Sequence, residues 1–262
     1  MEFETLSFEV ADGIARLALN RPDAANTFNK EICRELLEAA IICDEQKEIR
    51  AVVLTGEGPI FSAGGDLKFF ANQGDDLSTV LKEITGLLHA AIGRMAHMDA
   101  PVVGAINGMA AGAGLSLAAA CDYTISGQST RYTLAYTAAG LSPDGSSTWF
   151  LPRLIGLRRA RELMLTSRMV SADEACQIGL VDRVVADEDV EIEAQKQAKT
   201  FAAGPTKAYG AVKRLLQETW TSGLEVQMER ETQAISDLAR TKDAREGIDS
   251  FVNKRKPSFN GE

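Results

Sequence analysis

The feature that most constrains this chain is a long run without charge. From Ala100 to Cys121 there are 22 residues with no Asp, Glu, Lys or Arg, and Gly104, Gly108 and Gly112 repeat through it as GxxxG. Length and motif together are what a membrane helix would show. Three features oppose that reading. Pro101 opens the run, Asn107-Gly108 interrupts it, and Ala and Gly outnumber the strongly apolar residues. Neither flank carries the Lys/Arg excess that orients a span. The run reads instead as a buried strand from Val102 to Ile106, a turn and a buried helix. The same order occurs about fifty residues earlier: Val52-Val53 leads to Ala63-Gly64-Gly65-Asp66-Leu67, as Val102-Val103 leads to Ala111-Gly112-Ala113-Gly114-Leu115. Strand, small-residue turn and helix recur, which points to an internal structural repeat.

A chain of 262 residues buries about 70–75% of its unfolded surface, so its core needs no disulfide or metal staple. Lys plus Arg number 28 against 37 Asp plus Glu, a net charge of −9. Such a chain lacks the basic face that a nucleic-acid duplex or an anionic membrane requires, so neither is an expected partner. A small anionic ligand stays compatible, because a few cations or backbone N–H groups can hold it. Cys33, Cys43, Cys121 and Cys176 lie far apart with no CxxC. They read as buried thiols of a reducing compartment, which makes the expected location cytoplasmic. His89 and His97 are too few for a His-rich metal site, and no metal is expected. The start, MEFETLSFEV, is acidic and alternating, so it reads as a strand and not a signal peptide.

The rest of the chain is ordinary α/β grammar. Phe3 to Asn20 reads as a hairpin turning at Asp12-Gly13. Asn29 is placed to cap a helix reaching Cys43, with Ile32, Leu36, Ala40 and Ile41 at helical spacing. Ala51 to Thr55 is a buried strand, and Val80, Ile84, Leu88, Ala91 and Met95 mark a further helix. From Glu188 onward the pattern is almost wholly helical, with Pro205 at a helix start and breaks expected at Gly223 and Gly247.

Common catalytic motifs fit poorly. Gly112-Ala113-Gly114 lacks the third glycine of a dinucleotide fingerprint, and no GxxxxGK is present. Gly114 to Ala118 is a near miss for the GxSxG elbow around Ser116, and no histidine follows it as that hydrolase fold requires. The small-residue turns are more informative. A helix that opens on Gly and Ala leaves backbone N–H groups uncovered, so two such turns side by side could hold one oxygen as an oxyanion hole. Small residues also serve tight strand–helix packing, and residue types alone leave both readings open. Asp144, in Ser142-Pro143-Asp144-Gly145-Ser146, is on local grounds part of a turn.

Four segments in order change that balance. FSAGGDLK (61–68), APVVGAINGMAAGAGLSLAAACD (100–122), GLSPDGSSTWFLPRLIG (140–156) and SADEACQIGLVDRVV (171–185) resemble the enoyl-CoA hydratase/isomerase, or crotonase, superfamily over nearly the whole chain. The resemblance implies an α/β fold, a spiral of ββα repeats followed by a helical part that trimerises. The chain would then divide into a spiral core with the acyl-CoA site (1–200) and a C-terminal helical region (201–262). The resemblance implies a homotrimer or a dimer of trimers, and no cofactor beyond the coenzyme A of the substrate.

By the same resemblance, Gly65 and Ala113 match the two backbone donors that hold a thioester oxygen as an enolate forms. Ser116 and Tyr136 stand where a hydratase has its two glutamates, and neither is a carboxylate, so hydration is not the expected reaction. Asp144 matches the single carboxylate of several isomerases in the superfamily. One base suffices for a 1,3-proton shift, taking a proton at one carbon and returning it two carbons away. The pattern is most similar to the phenylacetate-pathway epoxyphenylacetyl-CoA isomerase and to Δ3,Δ2-enoyl-CoA isomerases. Coenzyme A is expected along Ala24, Ala25, Ala63, Gly64, Asp66 and Leu67. Arg21, Lys68 and Lys254-Arg255-Lys256 are candidates for its phosphates, with Ser116 and Tyr136 near the acyl group.

Three other readings are carried. One is an ordinary hydratase. Another follows Arg153 to Arg168, which resembles 4-chlorobenzoyl-CoA dehalogenase, where the carboxylate matching Asp144 is a nucleophile and a histidine matching His89 activates water. The last is a non-catalytic homologue with an RNA-binding or structural role, which the charge of −9 opposes.

Overall fold

The computed structural model describes residues 3–262. The chain opens with strands β1 (Leu6–Ala11) and β2 (Ile14–Leu19), antiparallel and joined at Asp12-Gly13. Both turn residues have positive φ, 52° and 77°, as tight hairpin turns that follow strand twist require. Helix α1 (Lys30–Glu45) starts where expected, with the Asn29 side chain accepting the Ile32 N–H. Next come β3 (Ala51–Gly56), the short α2 (Leu67–Ala71) capped by Asp66, and the long α3 (Leu77–His97).

The uncharged run folds as a strand, a turn and a helix: β4 (Val102–Ile106), β5 (Ala110–Ala111) and α4 (Ala113–Ala119). No helix among the described residues is long and apolar enough to cross a membrane. Strands β6 (Tyr123–Gly127) and β7 (Arg131–Thr133) follow, then α5 (Ser147–Ile155) and α6 (Leu157–Thr166). After β8 (Val170–Ser171), α7 (Ala172–Gln177) and β9 (Arg183–Val185), the chain is helical: α8 (Val190–Ala202), α9 (Thr206–Glu218), α10 (Leu224–Leu238) and α11 (Lys242–Val252).

Two sheets result. The larger runs β1-β2-β3-β4-β6-β9, parallel apart from the first pair, and the smaller runs β5-β7-β8. Every residue of β3 and β4 is buried, as strands covered on both faces must be. Alternate side chains serve two cores. Val52, Leu54 and Val102 join the main core with α1 and α3, whereas Val53, Val103 and Ala105 face α8. Ala194, Ala198 and Ala202, four residues apart, let α8 lie close on that second face.

Gly223 does mark a break, at the cap of α10. Gly247 does not: it lies inside α11, in contact range of the Phe259 ring of the C-terminal tail. Lys213 fastens α9 to the sheet layer, with Nζ 2.7 Å from the Asp122 carboxylate and donating to Met95 O and Ala100 O. On the helical end Leu216, Trp220, Leu224, Ile235 and Phe251 are exposed, while Leu215 and Leu238 are half-buried.

Candidate active site

Three loops are stitched together by backbone. Ser62 N–H donates to Met109 O at 3.1 Å and Ala111 N–H to Ser62 O at 2.9 Å, which joins the two repeated turns. The loop before α1 joins them, with Ala63 N–H on Ala25 O, Phe28 N–H on Gly64 O and Asp66 N–H on Phe28 O. Gly64 makes the close approach. Its φ is +89°, and a Cβ there would lie 2.7 Å from Ala111 O. These bonds leave the N–H groups of Gly65 and Ala113 over: neither donates to any group among the described residues. Gly112, at the cap of α4, offers no side-chain acceptor to the Ala113 end.

Gly65 and Ala113 both line one apolar cavity of about 260 Å³. Phe28 and Phe70 wall it, with Leu81, Ile84 and Leu88 of α3 and Leu141 on the opposite rim. Asp144 is the one acidic side chain lining it. A larger groove of about 460 Å³ between α9 and α10 carries many charges, and Arg214–Asp99 and Arg230–Glu218 pair across it. The apolar cavity, by contrast, is where a carboxylate meets free backbone donors.

The Pro-Asp-Gly stretch is a turn and a site at once, with φ of +58° at Gly145 and +68° at Ser146. The Asp144 carbonyl accepts from Ser116 Oγ and Ser147 Oγ, each at 2.9 Å. Its carboxylate Oδ1 accepts from the Tyr136 hydroxyl at 2.5 Å. Oδ2 lies 3.9 Å from His89 Nε2, and that nitrogen accepts the Gly145 N–H at 3.0 Å. Burial, and after it the negative charge of Asp144, holds the Tyr136 phenol well above its ordinary pKa, so it remains a proton donor. Ser116 Oγ lies 3.0 Å from the same hydroxyl and completes a Ser116–Tyr136–Asp144 chain.

The structure thus brings Ala63, Gly65, Leu67, Ala113, Tyr136 and Asp144 to the cavity wall. Ser116 is fully buried behind Tyr136 and the Asp144 carbonyl, so it acts on the site only through them. Gly64 lies beneath the wall as the contact between loops. The Asp66 side chain is taken up by the Phe69 N–H and by Arg21, whose attraction and hydrogen bonds outweigh burial and hold the carboxyl below its usual range. Ala24 and Ala25 sit in a short helical turn, with their N–H groups on Arg21 O and Pro22 O.

Of the cations proposed for phosphates, Arg21 is bound to Asp66 and Thr27 O, and Arg255 to Glu246 and Asp249, so both are already paired. Lys68, Lys254 and Lys256 form no ion pair among the described residues. Sequence reasoning missed Phe28, Phe70 and the α3 face as cavity wall. Their apolar spacing marks burial but not which buried face borders a void.

Comparison with known proteins adds the lineage. The profile of the enoyl-CoA hydratase/isomerase family matches residues 9–262. A probable enoyl-CoA hydratase of Rhodobacter capsulatus is 38% identical over 100% of both chains. The 1,2-epoxyphenylacetyl-CoA isomerase of Escherichia coli is 35% identical over 100% of this chain and 99% of its own. The crystal structure of a putative enoyl-CoA hydratase/isomerase from Mycobacterium abscessus superposes with a TM-score of 0.92 at 33% identity, covering 98% of this chain and 100% of that one.

Proposed function

The chain belongs to the enoyl-CoA hydratase/isomerase family with its crotonase fold, and on that premise we propose that it shifts the double bond of an enoyl-CoA with Asp144 as sole base. The observation that carries this is the site's acid–base content. One carboxylate lines the cavity, and by resemblance the hydroxyls of Ser116 and Tyr136 stand where a hydratase has its two glutamates.

The thioester carbonyl of a 3-enoyl-CoA takes the two free N–H groups of Gly65 and Ala113. Asp144 Oδ2 removes a proton from C2, the C–H electron pair forms a C1–C2 double bond as the carbonyl π pair moves onto the thioester oxygen, and the resulting dienolate oxygen is held by those donors. The same carboxyl returns its proton to C4. The double bond then lies between C2 and C3, and Asp144 is a carboxylate again. No water is consumed, so nothing in the cycle requires a second base. The apolar wall suits an uncharged acyl group, because a second carboxylate there would be buried without a counter-ion.

Coenzyme A would lie along the loop residues 24–25 and 63–67, beside Lys68, which forms no ion pair among the described residues. The exposed apolar residues of α9 to α11 support a homotrimer or a dimer of trimers as the working assembly.

A panel tests the reaction: 3-enoyl-CoA for isomerisation, crotonyl-CoA for hydration and 4-chlorobenzoyl-CoA for halide release. Isomerisation should dominate. Hydration of crotonyl-CoA at an ordinary enzymatic rate, on the order of 10 s⁻¹, would sink the proposal.

A further inference from the structure

We propose that His89 is a positioning residue for Asp144, acting as a neutral imidazole through the backbone of Gly145, and that its protonation disables the base. The inference rests on the reading of Asp144 as that base, and it begins with a lone pair. Gly145 N–H donates to His89 Nε2 at 3.0 Å, so Nε2 carries no proton and the ring proton sits on Nδ1. Nε2 is 3.9 Å from Asp144 Oδ2, near enough to feel its charge and too far to bond it. Tyr136 occupies Oδ1, and among the described residues no group donates to Oδ2, which is ready for a substrate proton.

The turn cannot easily yield. A Cβ at Gly145 would lie 2.8 Å from Ser116 Cβ, and the residue holds φ at +58°. Against that constrained turn, the Gly145 N–H bond to Nε2 is the tie through which the imidazole acts on the direction in which Asp144 leaves it.

A second proton on the ring reverses these relations. Nε2 becomes a donor, the Gly145 N–H loses its acceptor, and an imidazolium faces Oδ2 as an ion-pair partner. A carboxylate in that pair is a poor base. No other acidic group lies within ion-pair distance of the imidazole among the described residues. Charges on the elements around α3 pair elsewhere: Glu83 with Lys30 and Asp44 with Arg94 across α1, and Asp122 with Lys213 and Asp99 with Arg214 at α9. Tyr136 and Cys33 stay neutral, since burial raises both. His97 is eight positions along the same helix, with Nδ1 beside Gly93 O.

Two readouts test this. The chain has two histidines, so His97→Gln leaves His89 as the single imidazole for nitrogen-15 spectroscopy of the untagged protein. At neutral pH the ring should be the Nδ1–H tautomer, and the Gly145 amide resonance should titrate with the ring. In steady-state isomerisation, kcat of the wild type should fall on the acid side with that same midpoint. His89→Ala should lose about 100-fold in kcat with KM nearly unchanged, as a misdirected catalytic group does. His89→Gln offers an amide oxygen to Gly145 that takes no proton. It should recover much of the loss and carry activity to lower pH.

A ring protonated on Nε2 in the neutral protein, or an acid limb that His89→Gln leaves in place, overturns the inference. A wild type that isomerises nothing, yet shows the expected tautomer and the coupled Gly145 shift, overturns the assigned reaction and supports the placement of His89.

Discussion

At the scale of single residues the site is a carboxylate with one oxygen held and one free. The hydrogen bond from Tyr136 is charge-assisted, a class that contributes about 1.5–3 kcal/mol. Tyr136→Phe keeps the ring in the wall and removes that donor, so Asp144 gains a freedom of rotation it now lacks. We expect kcat to fall about tenfold, with KM within about twofold, when 3-enoyl-CoA isomerisation is followed. An unchanged kcat would show that Oδ1 needs no donor. That positions 116 and 136 carry hydroxyls and no carboxylate was legible in the sequence, since Ser116 and Tyr136 are visible as types. Their bonding to Asp144 was not, because residues 116, 136 and 144 meet only after α4 and the 134–146 loop have packed. His89 was legible as a neighbour only through resemblance, as it sits 55 positions before Asp144.

Secondary-structure elements explain why two ordinary glycine-rich turns become a site. Each follows a buried strand, and the bonds of Ser62 to Met109 and Ala111 hold them in register. Gly64 is the point of closest approach, and a Cβ there would also come within 3.2 Å of Ala113 N, one of the two free donors. Gly64→Ala places a Cβ against Ala111 O at a positive φ, a strain of about 1–3 kcal/mol. Thermal unfolding should report a Tm lower by about 3–10 °C, and isomerisation should weaken because the two donors separate. A variant with wild-type Tm and rate would mean that the loops tolerate the gap. Long elements such as α1, α3, β3 and β4 were readable from apolar spacing and from the Asn29 cap. The β5-β7-β8 sheet was not, because strands of two or three residues carry no period of their own.

At the scale of the molecule, an apolar cavity is set in the α/β part and an apolar surface is left on the helical part. Leu216, Trp220, Leu224, Ile235 and Phe251 are exposed on α9 to α11 and the turn after α9, more than scattered surface positions account for. A heterologous contact between such faces gives a ring when its rotation closes, the assembly we propose. Light scattering at micromolar concentration should give the mass of three chains or six, and a stable 28.2 kDa species would contradict the assembly. The fold class and the helical ending were legible as pattern. The assembly rested on resemblance, because a face that meets a partner and one that meets its own core have the same composition.

If Asp144 alone moves the proton, a single substitution should all but abolish turnover and spare binding. Asp144→Asn keeps the shape of the side chain and its bond to Tyr136, but it cannot accept a proton. Rates of 3-enoyl-CoA isomerisation and the Kd for a saturated acyl-CoA should be measured on this variant and the wild type together. The rate should fall by about 10²–10⁴-fold, the usual loss for a general base, with Kd nearly unchanged because the free N–H groups of Gly65 and Ala113 remain. Isomerisation by Asp144→Asn at close to the wild-type rate would contradict the claim and reduce the Pro-Asp-Gly stretch to a turn.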